Sequence, residues 1–203
     1  MSFEISPATS SDAPQLTEVF LAAFSDDLNR KMFPLTQDVR EWVAEHLFSS
    51  SDSKLNEVFL KVTDPLETGK VVAFAKWIQP TSADSDIDTN QHEASVTWPT
   101  SSDKDLCTLF FGMMEASHHR LMGNRPHFYL DILGVHPSYQ GRGLAGKLLR
   151  WGLERADEQG VEVYLNATPS GRPVYAKHGF QALDSFSPVP DYEQLNMIRP
   201  SRK

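Results

Sequence analysis

The chain has 203 residues, enough for one domain with a sizeable core, and 40% of them are hydrophobic, as in folded globular proteins. Its 27 acidic residues against 19 Lys and Arg give a net charge of -8, which argues against general nucleic-acid binding and mildly favours cationic ligands. No run of about 18 apolar residues and no basic-plus-apolar N-terminal signal occurs, so neither a membrane span nor secretion is expected, while the single cysteine, Cys107, excludes an internal disulfide and fits a reducing, cytoplasmic compartment.

In chain order, "FEISPAT" reads as a first strand, and "SDAPQLTEVFLAAFSDD" as a helix capped by Ser11 or Asp12, with Leu16, Val19, Phe20 and Ala23 on one face. A second helix, "TQDVREWVAEHLF", is capped by Thr36. The strands "EVFLKVTD" and "KVVAFAKWI" follow, joined by "PLETG", which has hairpin composition. From Pro80 to about Asp105 the chain turns to Ser, Thr and acid, with Asp84, Asp86, Asp88 and Glu93, and reads as a long exposed loop. The apolar segment "LCTLFFGMMEASHHRLMG" is helical; a strand over 127–135, a glycine-rich turn, a helix over 143–158 and a strand over 162–167 come next. A short helix around "RPVYAKH" and the strands "FQALDSF" and "YEQLNMI" complete a mixed α/β chain. The helix after the glycine turn is the best specified: Leu144, Ala145, Leu148, Leu149, Gly152 and Ala156 share its inner face, and Gly160 stops it.

The turn itself, "GRGLAG", carries glycines at 141, 143 and 146 in the spacing of a dinucleotide-binding Rossmann turn. That reading fails on its surroundings. The preceding strand ends near Val135, Pro137 breaks the approach, and the next strand ends in Asn166 and Ala167 where a ribose-binding acid should stand. What the stretch retains is a helix N-terminus whose amides and dipole suit a phosphate or pyrophosphate, with turn or packing glycines as the ligand-free alternative.

Two motifs carry a family resemblance. "VHPSYQGRGLAGKLL" resembles the acyl-CoA-binding signature of the GNAT superfamily of acyltransferases, with Gln140, Gly143 and Ala145 at the signature positions. "VYAKHGF" is similar to the family's Tyr-x-Lys-x-Gly-Phe segment, in Tyr175, Lys177, Gly179 and Phe180. The resemblance implies one GNAT-like domain over 1–203: a mixed, centrally splayed β-sheet flanked by helices. The segment 80–123 departs from it as a loop-plus-helix insert between the third and fourth strands, able to close over the acceptor side.

It further implies an N-acetyltransferase that uses acetyl-CoA as cosubstrate, needs no metal, and moves the acetyl group to a primary amine by direct attack in a ternary complex. Residues Gln140, Gly141, Arg142, Gly143, Leu144, Ala145, Gly146 and Lys147 would hold the pyrophosphate. Leu133 and Val135 would offer backbone groups to the pantetheine arm, with Gly134 allowing the strand's distortion, and Asn166 would bind a pantetheine amide or the substrate. Alternation places Tyr129, Asp131, Leu133 and Val135 on one strand face, the face that looks toward the thioester in the family. Tyr129 and Asp131 are therefore candidate substrate contacts and Asp131 the candidate base, unless it accepts a structural hydrogen bond. Tyr175 is the candidate acid for the departing thiolate, or a core aromatic. Glu115, His118 and His119 have helical spacing for metal but lack further ligands, and read as a solvated face. Phe110, Phe111, Met113 and Met114 read as core or pocket lining, and Cys107 as a small buried residue. The acceptor is expected to be a small amine, with a protein lysine or N-terminal acetyltransferase, or a non-catalytic acyl-CoA-binding module, as the other readings.

Overall fold

The computed structural model describes residues 3–48, 56–67, 69–80 and 96–202. A seven-stranded sheet in the order β1-β2-β3-β4-β5-β7-β6 organises them. Its strands are β1 (Glu4–Pro7), β2 (Glu57–Thr63), β3 (Val71–Ile78), β4 (His127–Val135), β5 (Glu162–Ala167), β6 (Gln181–Phe186) and β7 (Gln194–Arg199). Only β4 and β5 run parallel; the other neighbours are antiparallel. The parallel pair is joined through α5 (Leu144–Gln159), a crossover helix of the kind parallel strands require.

Helix α5 covers one face of the sheet. Its Leu144, Leu148, Leu149, Leu153 and Ala156 pack with Trp77, Phe128 and Leu130. Helices α1 (Ala13–Ala23), α2 (Asp27–Met32), α3 (Gln37–Val43) and α4 (Lys104–Met122) cover the other, around Phe20, Phe33, Phe48, Phe74 and Phe110. Two glycines set the spacing between these layers. A Cβ on Gly152 would lie 2.5 Å from the Trp77 ring, so α5 approaches β3 this closely only through glycine. A Cβ on Gly134 would lie 2.7 Å from the Phe74 ring, so this glycine makes room for a core aromatic.

The helix expected over 11–27 divides in two. The backbone leaves helical geometry at Phe24, and the Asp26 carboxylate accepts from the Asn29 N–H at 3.0 Å, which starts α2 as a separate helix. Helix α3 runs into a turn of π-helix, Ala44–Phe48, where one α-helix was expected. Asp103 caps α4 by accepting from the Leu106 N–H at 3.0 Å. The acidic stretch holding Asp84, Asp86, Asp88 and Glu93 lies outside the described residues. Among the described residues, no helix is long and apolar enough to cross a membrane.

Candidate active site

Strands β4 and β5 pair only from His127↔Glu162 to Leu130↔Leu165. At that point the register between β3 and β4 shifts: Lys76 faces Ile132 but Trp77 faces Leu130, so Asp131 is the extra residue of a bulge. Beyond it β4 keeps pairing with β3, while Asn166 and Ala167 of β5 pair only with β7. The sheet therefore opens into a slot at Asp131 and Asn166. The His136 N–H donates to the Val72 carbonyl at 2.9 Å, on the β3 side. Strand alternation then turns the N–H and C=O groups of Val135 and Leu133 the other way, into the slot.

The bulge also corrects the expected face. Alternation is broken at Asp131, so Leu133 and Val135 send their side chains into the α5 layer, whereas Ile132 packs in the opposite layer and Tyr129 packs at the end of α4. The Tyr129 ring lies tilted against His118, with ring centroids 4.4 Å apart, and its hydroxyl donates to Asn166 Oδ1 at 3.2 Å. It supports the slot from behind.

At the far end of the slot, Gly141 and Gly143 have φ of 74° and 76°, the left-handed region that favours glycine. A Cβ at either would meet nothing within 4 Å, so the space above the turn is open. Gly143 is the N-cap of α5, and the first intrahelical bond is Lys147 N–H to Gly143 C=O at 3.1 Å, which leaves the amides of 144–146 without helical partners. Such an open turn on a helix N-terminus fits a pyrophosphate.

The neighbouring side chains divide by role. Gln140 donates to the Val135 carbonyl at 3.3 Å and ties the turn to the end of β4. Arg142 donates to the Ser138 carbonyl at 3.1 Å and lies 4.8 Å over the Tyr139 ring, which holds its guanidinium beside the turn. Lys147 donates to the Phe3 carbonyl at 3.3 Å. Leu144 is a core residue, and a Cβ on Gly146 would stand 3.4 Å from His178 Nε2, so these two serve packing and can offer only backbone groups.

Asp131, Asn166 and Tyr175 line one cleft of about 100 Å³ at the opening of the slot. Its opposite wall comes from Phe20, Phe24, Phe33, Phe110, Phe111 and Met114, with Tyr192 and Gln194 at one side. Asp131 Oδ2 is 3.1 Å from Lys76 Nζ, which also lies 3.3 Å from Glu57. Burial opposes the charge on Lys76, yet the Asp131 and Glu57 carboxylates hold its pKa above the usual lysine value. Nothing in the sequence pattern singled out Lys76, because its spacing from Asp131 exists only across the β3–β4 ladder. Burial pushes the Tyr175 hydroxyl up to about 12. Asn166 spends its side chain on the protein: besides accepting from Tyr129, its amide donates to Tyr164 at 3.0 Å and to Asn196 at 2.6 Å. Substrate contacts from Asn166 must therefore use its backbone.

The residues read as a solvated face on α4 also divide. Glu115 and His119 are exposed, but His118 is half-buried between Tyr129 and Tyr164, with its Nε2 2.7 Å from His127 Nε2. Burial, then the His127 ring, push the His118 pKa down to about 4, and burial lowers that of His127 as well. Cys107 is buried, and burial pushes its thiol up to about 11, as befits a packing residue. Among the described residues, no group of three or more His, Cys, Asp or Glu is gathered to hold a metal.

A second hollow of about 490 Å³ adjoins the cleft and shares Thr168 and Tyr192 with it. Asp26, Asp27 and Asp191 face it, with Lys31.

Comparison with known proteins bears on the family and the fold. A family model described as an acetyltransferase (GNAT) domain matches residues 64–188. A protein named acetyltransferase from Stachybotrys chartarum is 33% identical over 93 residues, 44% of this chain and 39% of that protein, so the match spans well under half of the relative's length. Arylalkylamine N-acetyltransferase 2 from Aedes aegypti has a similar structure, with a TM-score of 0.66 at 18% identity over 98% of both chains. The PaiA N-acetyltransferase of Thermoplasma acidophilum, solved in complex with coenzyme A, has a TM-score of 0.57 at 15% identity over 98% of this chain and 99% of its own. At these identities the two structures speak for the fold.

Proposed function

The chain belongs to the GNAT acetyltransferase family, and from that premise we propose that it moves an acetyl group from acetyl-CoA to the primary amine of a small molecule, by direct attack in a ternary complex. One observation carries the reading: the open edge of β4 at Leu133 and Val135 runs from the left-handed glycines of the turn to the cleft that holds Asp131 and Tyr175. In this reading the amides at 141–146 bind the pyrophosphate, Arg142 adds positive charge, and the backbone of Leu133 and Val135 aligns the pantetheine arm. The cosubstrate supplies a thioester carbonyl, whose C–S bond breaks as the new N–C bond forms.

The chain's own residues must manage two protons. An alkylamine with a reference pKa near 10.4 is neutral in less than about one molecule in a thousand at pH 7. Asp131 holds the ammonium at the slot and accepts its proton, directly or through water; because Lys76 occupies Oδ2, the proton goes to Oδ1 or to water beside it. Tyr175 meets the thiolate. With its hydroxyl near 12 against a thiol near 8.5, full proton transfer would be uphill by about 5 kcal/mol, so Tyr175 stabilises the leaving sulfur by hydrogen bonding, and the proton that completes the thiol follows late.

A small acceptor is favoured by the cleft, whose volume of about 100 Å³ between β4 and four helices suits a side chain or a small molecule. Asp26, Asp27 and Asp191 at the adjoining hollow favour a cation. Incubation with acetyl-CoA and a panel of amines, while free thiol is followed, tests the reading. Thiol release that requires an amine is expected. Binding of acetyl-CoA without release, for small amines and peptides alike, would leave a non-catalytic binding module instead.

A further inference from the structure

The bulge that re-aims Asp131 sets it at the end of a row of three charges. Lys76 Nζ of β3 lies 3.1 Å from Asp131 Oδ2 of β4 and 3.3 Å from Glu57 Oε2 of β2, so one ammonium bridges two carboxylates across three neighbouring strands. Lys76 is the β3 residue at which the register slips. The row runs inward from the cleft: the Asp131 side chain is 24% exposed, that of Lys76 14% and that of Glu57 4%. Lys76 Nζ also lies 5.4 Å over the Phe59 ring, a third contact that fixes the ammonium.

Burial works against the charge on Lys76, and the two carboxylates prevail, so its amine stays an ammonium while a free acceptor amine gives up its proton. The other titratable groups around Asp131 are neutral near pH 7. Burial holds Tyr129 of β4 well above the usual tyrosine value and Tyr175 of α6 (Arg172–Lys177) and Tyr192 near 12, and it pushes His118 of α4 down to about 4. Glu115 of α4 is exposed, where water weakens its field. Lys76 and, through it, Glu57 are thus the shielded charges that act on Asp131.

We infer that Lys76 and Glu57 are positioning residues for the acetyl transfer: Lys76 pins one oxygen of Asp131 and leaves the other for the acceptor's proton, while Glu57 shares the ammonium and so preserves the basicity of Asp131. A carboxylate alone with an ammonium is a weaker base, and a second carboxylate on the same ammonium returns part of what is lost. The acceptor's proton passes to Asp131 Oδ1, and Lys76 keeps all three of its own. This rests on the acetyltransferase reading above and names what sets Asp131 for its part in it.

The test follows kcat/KM for an amine acceptor against pH, at saturating acetyl-CoA, in the wild type, Lys76→Met, Lys76→Arg and Glu57→Gln. In Lys76→Met the acid limb should move up by at least about one pH unit, since two carboxylates then share a site with no cation between them. In Glu57→Gln it should move down by about half a pH unit, because Asp131 then has the ammonium to itself. Lys76→Arg keeps the charge and should leave the limb within about 0.3 pH units of the wild type. Intact-mass and peptide analysis after incubation with acetyl-CoA should find Lys76 unmodified; acetylation there would make it an acceptor and overturn its role. A pair that served stability alone would lower activity at every pH and move no limb. That outcome, or movement of Lys76→Met and Glu57→Gln in one direction, overturns the inference while the acyltransferase reading stands. Should Lys76→Met not fold, the isosteric Glu57→Gln decides by the direction in which its limb moves. Thiol release with no amine overturns the acyltransferase reading instead. The Asp131 carboxyl carbon, followed by NMR against pH in the same proteins, then still decides the inference, which fails when the titration is alike in all of them.

Discussion

One side of the slot is a single run of chain, from β4 through the glycine turn and α5 to β5, and what it offers a ligand is backbone N–H and C=O groups. The cleft's remaining lining gathers Phe20, Asn29, Phe33, Leu47, Phe110, Phe111 and Gln194 from segments as far apart as α1 and β7, and what it offers a ligand is side chains. A backbone site constrains sequence through the few residues that can adopt its geometry, here glycines at φ near 75° and a bulge in β4. A side-chain site leaves each contributing residue looking like ordinary core. In the proposed reading the first serves the cosubstrate and the second is free to change with the acceptor.

The largest effect is expected where the backbone wall is struck directly. Gly143→Val places a β-branched residue at a left-handed φ and a side chain in the open space above the turn, so both conformation and access suffer. Acetyl-CoA affinity should fall by at least about a hundredfold, read as loss of the thermal shift that the ligand gives the wild type. NAD should give no shift with either protein. A folded variant that binds acetyl-CoA normally would separate the turn from the pyrophosphate and undo the comparison.

The contrast also explains what could be read in advance. The glycine turn, α5 and the Tyr175 segment were legible because their residue types are dictated locally, by positive φ, by a helix N-terminus and by amphipathic spacing. The bulge was not, since a period-two pattern has no mark for the residue at which it slips, and Leu133 and Val135 were assigned to the wrong face for that reason. Lys76 reaches Asp131 across a ladder, and Gln194 comes from β7 to line the cleft with Phe110 of α4; neither has a neighbour in sequence to give it away. The division of the first long helix at Phe24 was missed because its capping residue, Asp26, was read as part of the helix.

Where the two walls meet, Tyr175→Phe should reduce kcat by about ten- to a hundredfold and leave acetyl-CoA affinity nearly intact, since the ring still packs at 5.9 Å from Phe180 and only the hydroxyl is lost. Unchanged turnover would make Tyr175 a packing residue. Asp131→Asn should cost about tenfold in turnover near pH 7, with the deficit shrinking as pH approaches the pKa of the amine, because the substrate then arrives neutral. A deficit that is constant with pH would point to the Lys76 pairing alone, and the accompanying fall in Tm would measure it.

The smallest effect concerns the joint behind the side-chain wall, where His118 of α4 meets His127 of β4 at 2.7 Å. Both imidazoles are held neutral, with His118 near 4 against about 6.5 for an unfolded histidine; burial and the His127 and His119 rings lower it, and Asp131 only partly opposes them. The unfolded chain therefore binds more protons between about pH 6.5 and 4, and stability falls as pH drops through that window. The contribution is complete above about 6.5 and lost by about 4. A Tm decrease of a few degrees between pH 7.5 and 5 is expected, above the range in which the lowered carboxylates of Asp157 and Asp184 titrate. His118→Gln, which cannot take up a proton, should show less of that decrease. Because α4 carries Phe110 and Phe111 while the glycine turn lies on α5, the same acidification should raise the acceptor's KM before it weakens acetyl-CoA binding. Equal sensitivity of the two constants would mean that the walls respond as one body, and that the division between them is one of ligand contact only.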